Sequence, residues 1–238
     1  MNRPAAILFD WDNTLVDSWA VIHAALNECF TAMDQPLWSR EETEARVRGS
    51  LRDTFPGMFG ARWQDAEKVF YDAFGRIHLD QLMPLPGAAD LLHELDDAGV
   101  YLGVVSNKRG HFLRLEAEHL GWQSHFKRLA GAGDCPRDKP HRDHVDHALG
   151  LGTESPGPAA GRDVWFIGDA DVDMLCARNA GCHAVLVRPY APIAGEFDAA
   201  PPDLYFPDLK SLATHLRATI TAATPPSHHS NRRTTIGD

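Results

Sequence analysis

Apolar positions along the chain fall into two rhythms. Ile7-Leu8-Phe9, Val100 to Val105, Phe126 to Ala130, Val164 to Ile167 and His183 to Val187 are short, near-continuous apolar runs. That is the pattern of strands covered on both faces. Between them the apolar residues recur at three- and four-residue steps, the period of a helix with one buried face. Leu91, Leu92 and Leu95 precede a stop at Gly99, and Pro86 fits the first helical position. Phe112, Leu115, His119 and Leu120 precede Gly121, Val145, Ala148 and Leu149 follow, and a helix through Asn179 stops at Gly181. Strand alternating with helix predicts an α/β fold, a doubly wound parallel sheet.

One block departs from this alternation. Residues 17–83 carry helical signals alone and enter directly after the first strand. Ser18 is placed to cap a helix through about Met33, with Trp19, Ile22, Leu26, Phe30 and Met33 on one face. Pro36 breaks it, residues 40–48 read as a charged helix with Arg40 and Glu44 in pairing position, and Gly49 ends that helix. Residues 50–60 read as a loop, because they hold Pro56 and two glycines; a further helix carries Trp63, Ala66, Phe70, Phe74 and Ile77. The expected organisation is a core made of 1–16 and 84–217, an all-helical insert at 17–83, and a polar, disordered tail at 218–238.

Composition adds limits. Hydrophobic residues make up 44% of the chain and charged ones 24%, ordinary values for a globular protein. A net charge of -10 argues against nucleic-acid and anionic-membrane partners, which favour basic surfaces. The N-terminus lacks the long apolar region of a signal peptide, and no stretch reaches the ~20 apolar residues of a membrane span. Cys29, Cys135, Cys176 and Cys182 are scattered and read as reduced, buried thiols, so the expected location is cytoplasmic.

The candidate chemistry sits where the strands end. Asp10 and Asp12 follow the first run, Ser106 and Asn107 the second, and Asp169 and Asp173 the fourth. In a parallel sheet these carboxyl ends share one edge, so the groups can converge, and Lys139 can join from the loop after the weaker strand. Several carboxylates without His or Cys suit a hard cation, Mg²⁺ rather than zinc. A lysine and a hydroxyl beside that metal suit a phosphate group. His141, His144 and His147 drift around a helix and read as a solvated face, not a metal set; His228 and His229 are read the same way.

Asp-x-Asp-x-Thr at 10–14, Ser-Asn at 106–107, Lys-Pro at 139–140 and Gly-Asp-x-x-x-Asp at 168–173 together resemble the haloacid dehalogenase-like hydrolases, in order and strand placement. The insert, with Arg-Gly-Ser-Leu-Arg-Asp at 48–53, resembles the helical cap and specificity loop of their phosphoglycolate phosphatase and β-phosphoglucomutase branch. The resemblance implies Asp10 as nucleophile, forming an aspartyl-phosphate, and Asp12 as acid and base. It implies Mg²⁺ held by Asp10, the Asp12 carbonyl and Asp169. Ser106, Asn107 and Lys139 would meet the phosphoryl group, Arg52 the rest of the substrate, and Asp173 would orient Lys139 or a metal-bound water. The expected activity is Mg²⁺-dependent hydrolysis of a small phosphorylated metabolite, with phosphoglycolate one candidate. A mutase-type phosphotransferase is the first alternative. Dehalogenation needs neither Asp12 nor Asp169. A signalling receiver domain would lack the insert and carry its acceptor aspartate on a middle strand, and an inactive scaffold would have lost part of the constellation.

Overall fold

The computed structural model describes residues 3–47 and 50–222. Arg48 and Gly49, the part of the expected tail from 223 to 238 and, within it, His228 and His229 therefore lie outside the described residues. Strand β1, Ala6–Phe9, is buried along its whole length. The chain leaves it at Asp10 and enters the insert through β2, Val16–Asp17. Four helices follow: α1, Trp19–Ala32; α2, Arg40–Arg46; α3, Leu51–Phe59; and α4, Trp63–Ile77. The chain returns through β3, Met83–Pro84, which pairs antiparallel with β2. The insert is thus not purely helical. Its root is a ribbon of two-residue strands, too short for any alternation to register.

The stretch expected to be a loop at 50–60 is mostly helix α3. A proline inside a helix costs roughly 3 kcal/mol, and Pro56 sits there. Phe55 and Phe59, four residues apart, are both buried by the helical arrangement, and roughly 1.5–3 kcal/mol per ring offsets that cost. Phe55 meets Phe70 of α4 edge-on, with ring centroids 5.8 Å apart. Together with Phe30 and Phe74 these rings form a second core whose buried members all come from the cap, with Phe112 packed against it from outside the cap. Helix α2 begins with a reciprocal Ser39–Glu42 capping box and carries the expected Arg40–Glu44 pair.

The core continues with α5 (Ala88–Asp97), β4 (Tyr101–Arg109), α6 (Gly110–His119), β5 (Arg128–Ala132), α7 (Asp143–Ala148), β6 (Val164–Gly168), α8 (Asp171–Ala180), β7 (His183–Val187), β8 (Leu204–Phe206) and α9 (Leu209–Ala222). Pro86 does not open α5. Gly87 caps it with φ +85°, a left-handed conformation that costs glycine little. The buried face of α6 is Leu113, Glu116 and Ala117, with Leu115 half-buried and His119 exposed; an acid standing in the stripe hides the true face from an apolar count. Helix α9 runs on to Ala222, beyond Arg217, where the polar tail was expected to begin.

The strands form one six-stranded sheet in the order β5-β4-β1-β6-β7-β8, with every neighbour parallel. Successive β1 side chains go to opposite faces. Ile7 and Phe9 join a core with α5, α6 and α9; Ala6 and Leu8 join one with α7 and α8. This is the doubly wound α/β architecture. All four cysteines are buried and unbridged, and no described helix is long and apolar enough to cross a membrane.

Candidate active site

Strand β1 lies between β4 and β6, so the chain order reverses direction across it. At such a point the connections diverge to opposite faces and leave a crevice beyond the carboxyl ends of the strands. Asp10 leaves β1 there, anchored by its N–H donating to the Ile167 carbonyl of β6 at 2.8 Å. Ser106 faces the same crevice from β4 and Asp169 enters it from the end of β6. Lys139 arrives from the loop after β5. Its Nζ donates to Asp10 Oδ1 at 2.6 Å and to Asp173 Oδ1 at 2.7 Å, with all three groups buried. Residues 34 and 129 positions apart in sequence are thereby neighbours.

Local packing sets each of them. Asp173 sits in the first turn of α8, where its Oδ2 accepts from the Ala170 N–H at 3.0 Å and the helix N-terminus favours a carboxylate. It comes so close to the backbone of β6 that a Cβ on Gly168 would lie 2.4 Å from its side chain. Glycine at 168 is therefore what lets Asp173 reach Lys139. Asp171, in the same motif, is exposed and accepts from the adjacent Val172 N–H. Asn107, expected at the substrate, lines the cavity and also clamps Lys139: its Oδ1 accepts from the Lys139 N–H at 3.0 Å and its Nδ2 donates to the Lys139 carbonyl at 3.3 Å.

The electrostatics are those of crowded acids. Burial pushes the Asp10 carboxyl up to about 7, with Lys139 opposing the rise and Asp173 and Asp12 adding to it. Burial raises Asp169 well above the usual carboxylate range, and Asp173 and Asp10 push it further. For Lys139, burial favours the neutral amine, but Asp10 and Asp173 outweigh it and hold the ammonium. Oxygens of Asp10, Asp169 and Asp173 all lie within 4.8 Å of one another. An all-oxygen set with more negative charge than one lysine can balance fits a hard divalent cation.

Asp12 does not join that cluster through its side chain. Its carboxylate turns to Lys108, 2.7 Å from Nζ, and accepts from the Ser18 hydroxyl. Ser18 thus serves Asp12 and makes no side-chain cap to α1. A metal could use only the Asp12 carbonyl, as the resemblance implied. Lys108 continues into a buried network: it pairs with Glu116 of α6, which accepts from Trp11 Nε1 at 2.7 Å and meets His78 Nδ1 at 2.9 Å. Burial favours a neutral Lys108, yet Asp12 and Glu116 hold it charged above the ordinary lysine range. Lys108 was missed in the sequence. The available signal was Glu116, an acid standing in the apolar stripe of α6.

Two further expectations are corrected. Arg52 lies on α3, exposed, with its guanidinium 2.8 Å from the buried carboxylate of Asp138. It borders a cleft beside Lys139 rather than the cavity that holds Asp10, so it ties cap to core. The histidines are not one solvated face: His144 is fully buried beside Asp138, His141 is half-buried and His147 exposed. Short helix α7 packs on the sheet, so the middle residue of the three turns inward.

Between cap and core lies a cavity of about 130 Å³. Its floor is the polar cluster; its roof comes from α1, α3, α4 and the cap's Val47.

The same chain order is found in known proteins. The family model for haloacid dehalogenase-like hydrolases matches residues 7–187. A phosphoglycolate phosphatase of Xanthomonas campestris pv. campestris is 30% identical over 194 residues, covering 78% of this chain and 83% of its own. One from Caulobacter vibrioides is 31% identical over 194 residues, covering 77% and 78%. A solved Bacteroides fragilis protein described as haloacid dehalogenase-like shares the fold with a TM-score of 0.78 at 21% identity, covering 88% of this chain and all of its own. With the matched span running from the first residues of β1 to the last of β7, through cap and crevice alike, this chain belongs to the haloacid dehalogenase-like hydrolases.

Proposed function

We propose that this hydrolase is a phosphoric monoester hydrolase, acting with Mg²⁺ on a small phosphorylated metabolite through an aspartyl-phosphate at Asp10. The observation that carries the reading is the meeting of Asp10, Ser106, Lys139 and Asp169 at the switch point of the sheet. Asp10, Asp169 and the Asp12 carbonyl would hold the cation, which supplies positive charge against the phosphoryl oxygens.

The protein's own groups do the rest. A carboxylate oxygen of Asp10 attacks phosphorus, and the bond to the leaving oxygen breaks as Asp12 delivers a proton to it. Ser106 donates a hydrogen bond and Lys139 a charge to the transferring oxygens. Asp12, now ionised, takes a proton from a water that attacks phosphorus. The bond to Asp10 breaks, releasing inorganic phosphate and restoring both carboxyl groups. Asp173 and Asn107 fix Lys139, and the cap roof keeps bulk water from the intermediate.

The names of the relatives make phosphoglycolate the first ester to test. Incubation of wild type with phosphomonoesters and Mg²⁺ should release phosphate, whereas Asp10→Asn should release none while keeping its circular-dichroism spectrum. Release at the wild-type rate by that variant would overturn the nucleophile.

A further inference from the structure

We propose that the alcohol half of the ester is apolar, a short alkyl or single-ring group, and carries no second negative charge. This inference rests on the phosphatase reading and names the substrate class of that same site. With the phosphoryl group on the polar floor, the remainder of the ester must project toward the cap. There it meets Trp19, Ile22, Leu51, Phe70, Phe74 and, from α6, Phe112. Among the described residues the cap contributes two polar side-chain groups to this roof, the Tyr71 hydroxyl and the Trp19 indole N–H, neither of them charged.

Among the described residues, the cations in reach are already matched. Arg109 stacks over the Tyr71 ring, 3.8 Å from its centroid, and pairs with Glu67 at 3.0 Å. Arg52 pairs with Asp138 at 2.8 Å. Lys108 is shared by Asp12 and Glu116, and Lys139 by Asp10 and Asp173. A carboxylate on the leaving group would lose its water against phenyl rings and find no unpaired cation among the described residues, which is unfavourable. An apolar group in the same place gains by leaving water. The cavity of about 130 Å³ is smaller than the ~150 Å³ of apolar cavities that accept a benzene ring and holds the phosphoryl group as well, so the alcohol half is no larger than a single ring that reaches toward the cavity mouth.

Benzyl phosphate and 2-phosphoglycolate test this directly, because both lose an alkoxide and differ mainly in the group facing the roof. With Mg²⁺ present, wild type should show kcat/KM at least about 10-fold higher for benzyl phosphate, the discrimination an apolar pocket supplies. Ile22→Arg, which puts an uncompensated cation into the roof, should narrow or reverse that ratio, with Leu51→Lys as the second variant should the first misfold. Equal values, or a preference for 2-phosphoglycolate in wild type, would overturn the inference and leave the phosphatase reading standing. Hydrolysis of neither ester nor of p-nitrophenyl phosphate would overturn both.

Discussion

The Lys108 ammonium lies 2.7 Å from the Asp12 carboxylate and is itself held from behind by buried Glu116. Asp12 is therefore aimed by a network that reaches Trp11 beside it and His78 at the end of α4. Replacing Lys108 by Met should lower kcat by roughly 10- to 100-fold, because the proton-transfer group loses its orientation. It should also destabilise the fold by about 3 kcal/mol, since Glu116 stays buried without its cation. Steady-state kinetics and urea denaturation check the two effects. A variant with unchanged kcat would remove Lys108 from the mechanism.

What the sequence made legible follows from physical range. The strands, the cap's existence and the residues at the strand ends depend on local periodicity and on the rule that parallel strands share a carboxyl edge, and Asp10, Asp12, Ser106, Lys139 and Asp169 were readable on those grounds. Helix α3 was not, because Pro56 and two glycines are local signals, whereas the burial of Phe55 and Phe59 against α1 and α4 is a tertiary effect. The clamp made by Asn107, the place of Lys108 and the partner of Arg52 were not legible for a related reason. Their roles are set by partners 8 to 86 positions away, Lys139, Glu116 and Asp138, and pairing across elements leaves no periodic trace.

Metal binding should depend on pH in a definite sense. Burial and neighbouring acids put the metal-free Asp10 near 7, and Asp169 is shifted in the same direction. Below that value a proton occupies an oxygen the cation needs. Mg²⁺ affinity should therefore rise with pH through neutrality, by up to about 10-fold per pH unit for each proton displaced. The metal-free protein should behave oppositely: a raised carboxyl contributes stability at low pH that is lost as pH rises through its folded value. Thermal melts with Mg²⁺ and with EDTA at about pH 6 and about pH 8 test both signs. The Mg²⁺-induced rise in Tm should be larger at the higher pH, and EDTA should abolish turnover until Mg²⁺ is restored.

Gly168→Ala should be severe for a residue with no side chain. The added methyl would meet Asp173 at 2.4 Å, so either β6 or the start of α8 must shift, at a cost of roughly 1–3 kcal/mol. The same shift moves Asp173 off Lys139, so kcat should fall further than the loss of stability explains. Phosphate release under conditions where the variant is fully folded by circular dichroism separates the two. Normal turnover there would show that Lys139 keeps its place without Asp173.

Arg52 and Asp138 are better judged as a pair. A half-exposed guanidinium from α3 meets a carboxylate that is 1% exposed, so the contact joins cap to core at the edge of the site. Arg52→Ala leaves Asp138 buried with only its bond from the Gly133 N–H and the nearby His144; Asp138→Asn keeps the volume and removes the charge. If the pair holds the cap down, either change should reduce kcat/KM on every ester by a similar factor. The size is set by a contact worth up to ~1 kcal/mol, about 5-fold. The double variant should then be no worse than the more damaging single one. Had Arg52 instead recognised the alcohol half of the substrate, Arg52→Ala would discriminate among esters while Asp138→Asn would not, and the two effects would multiply. Measuring kcat/KM for wild type, both single variants and the double variant on two chemically distinct esters separates latch from specificity residue.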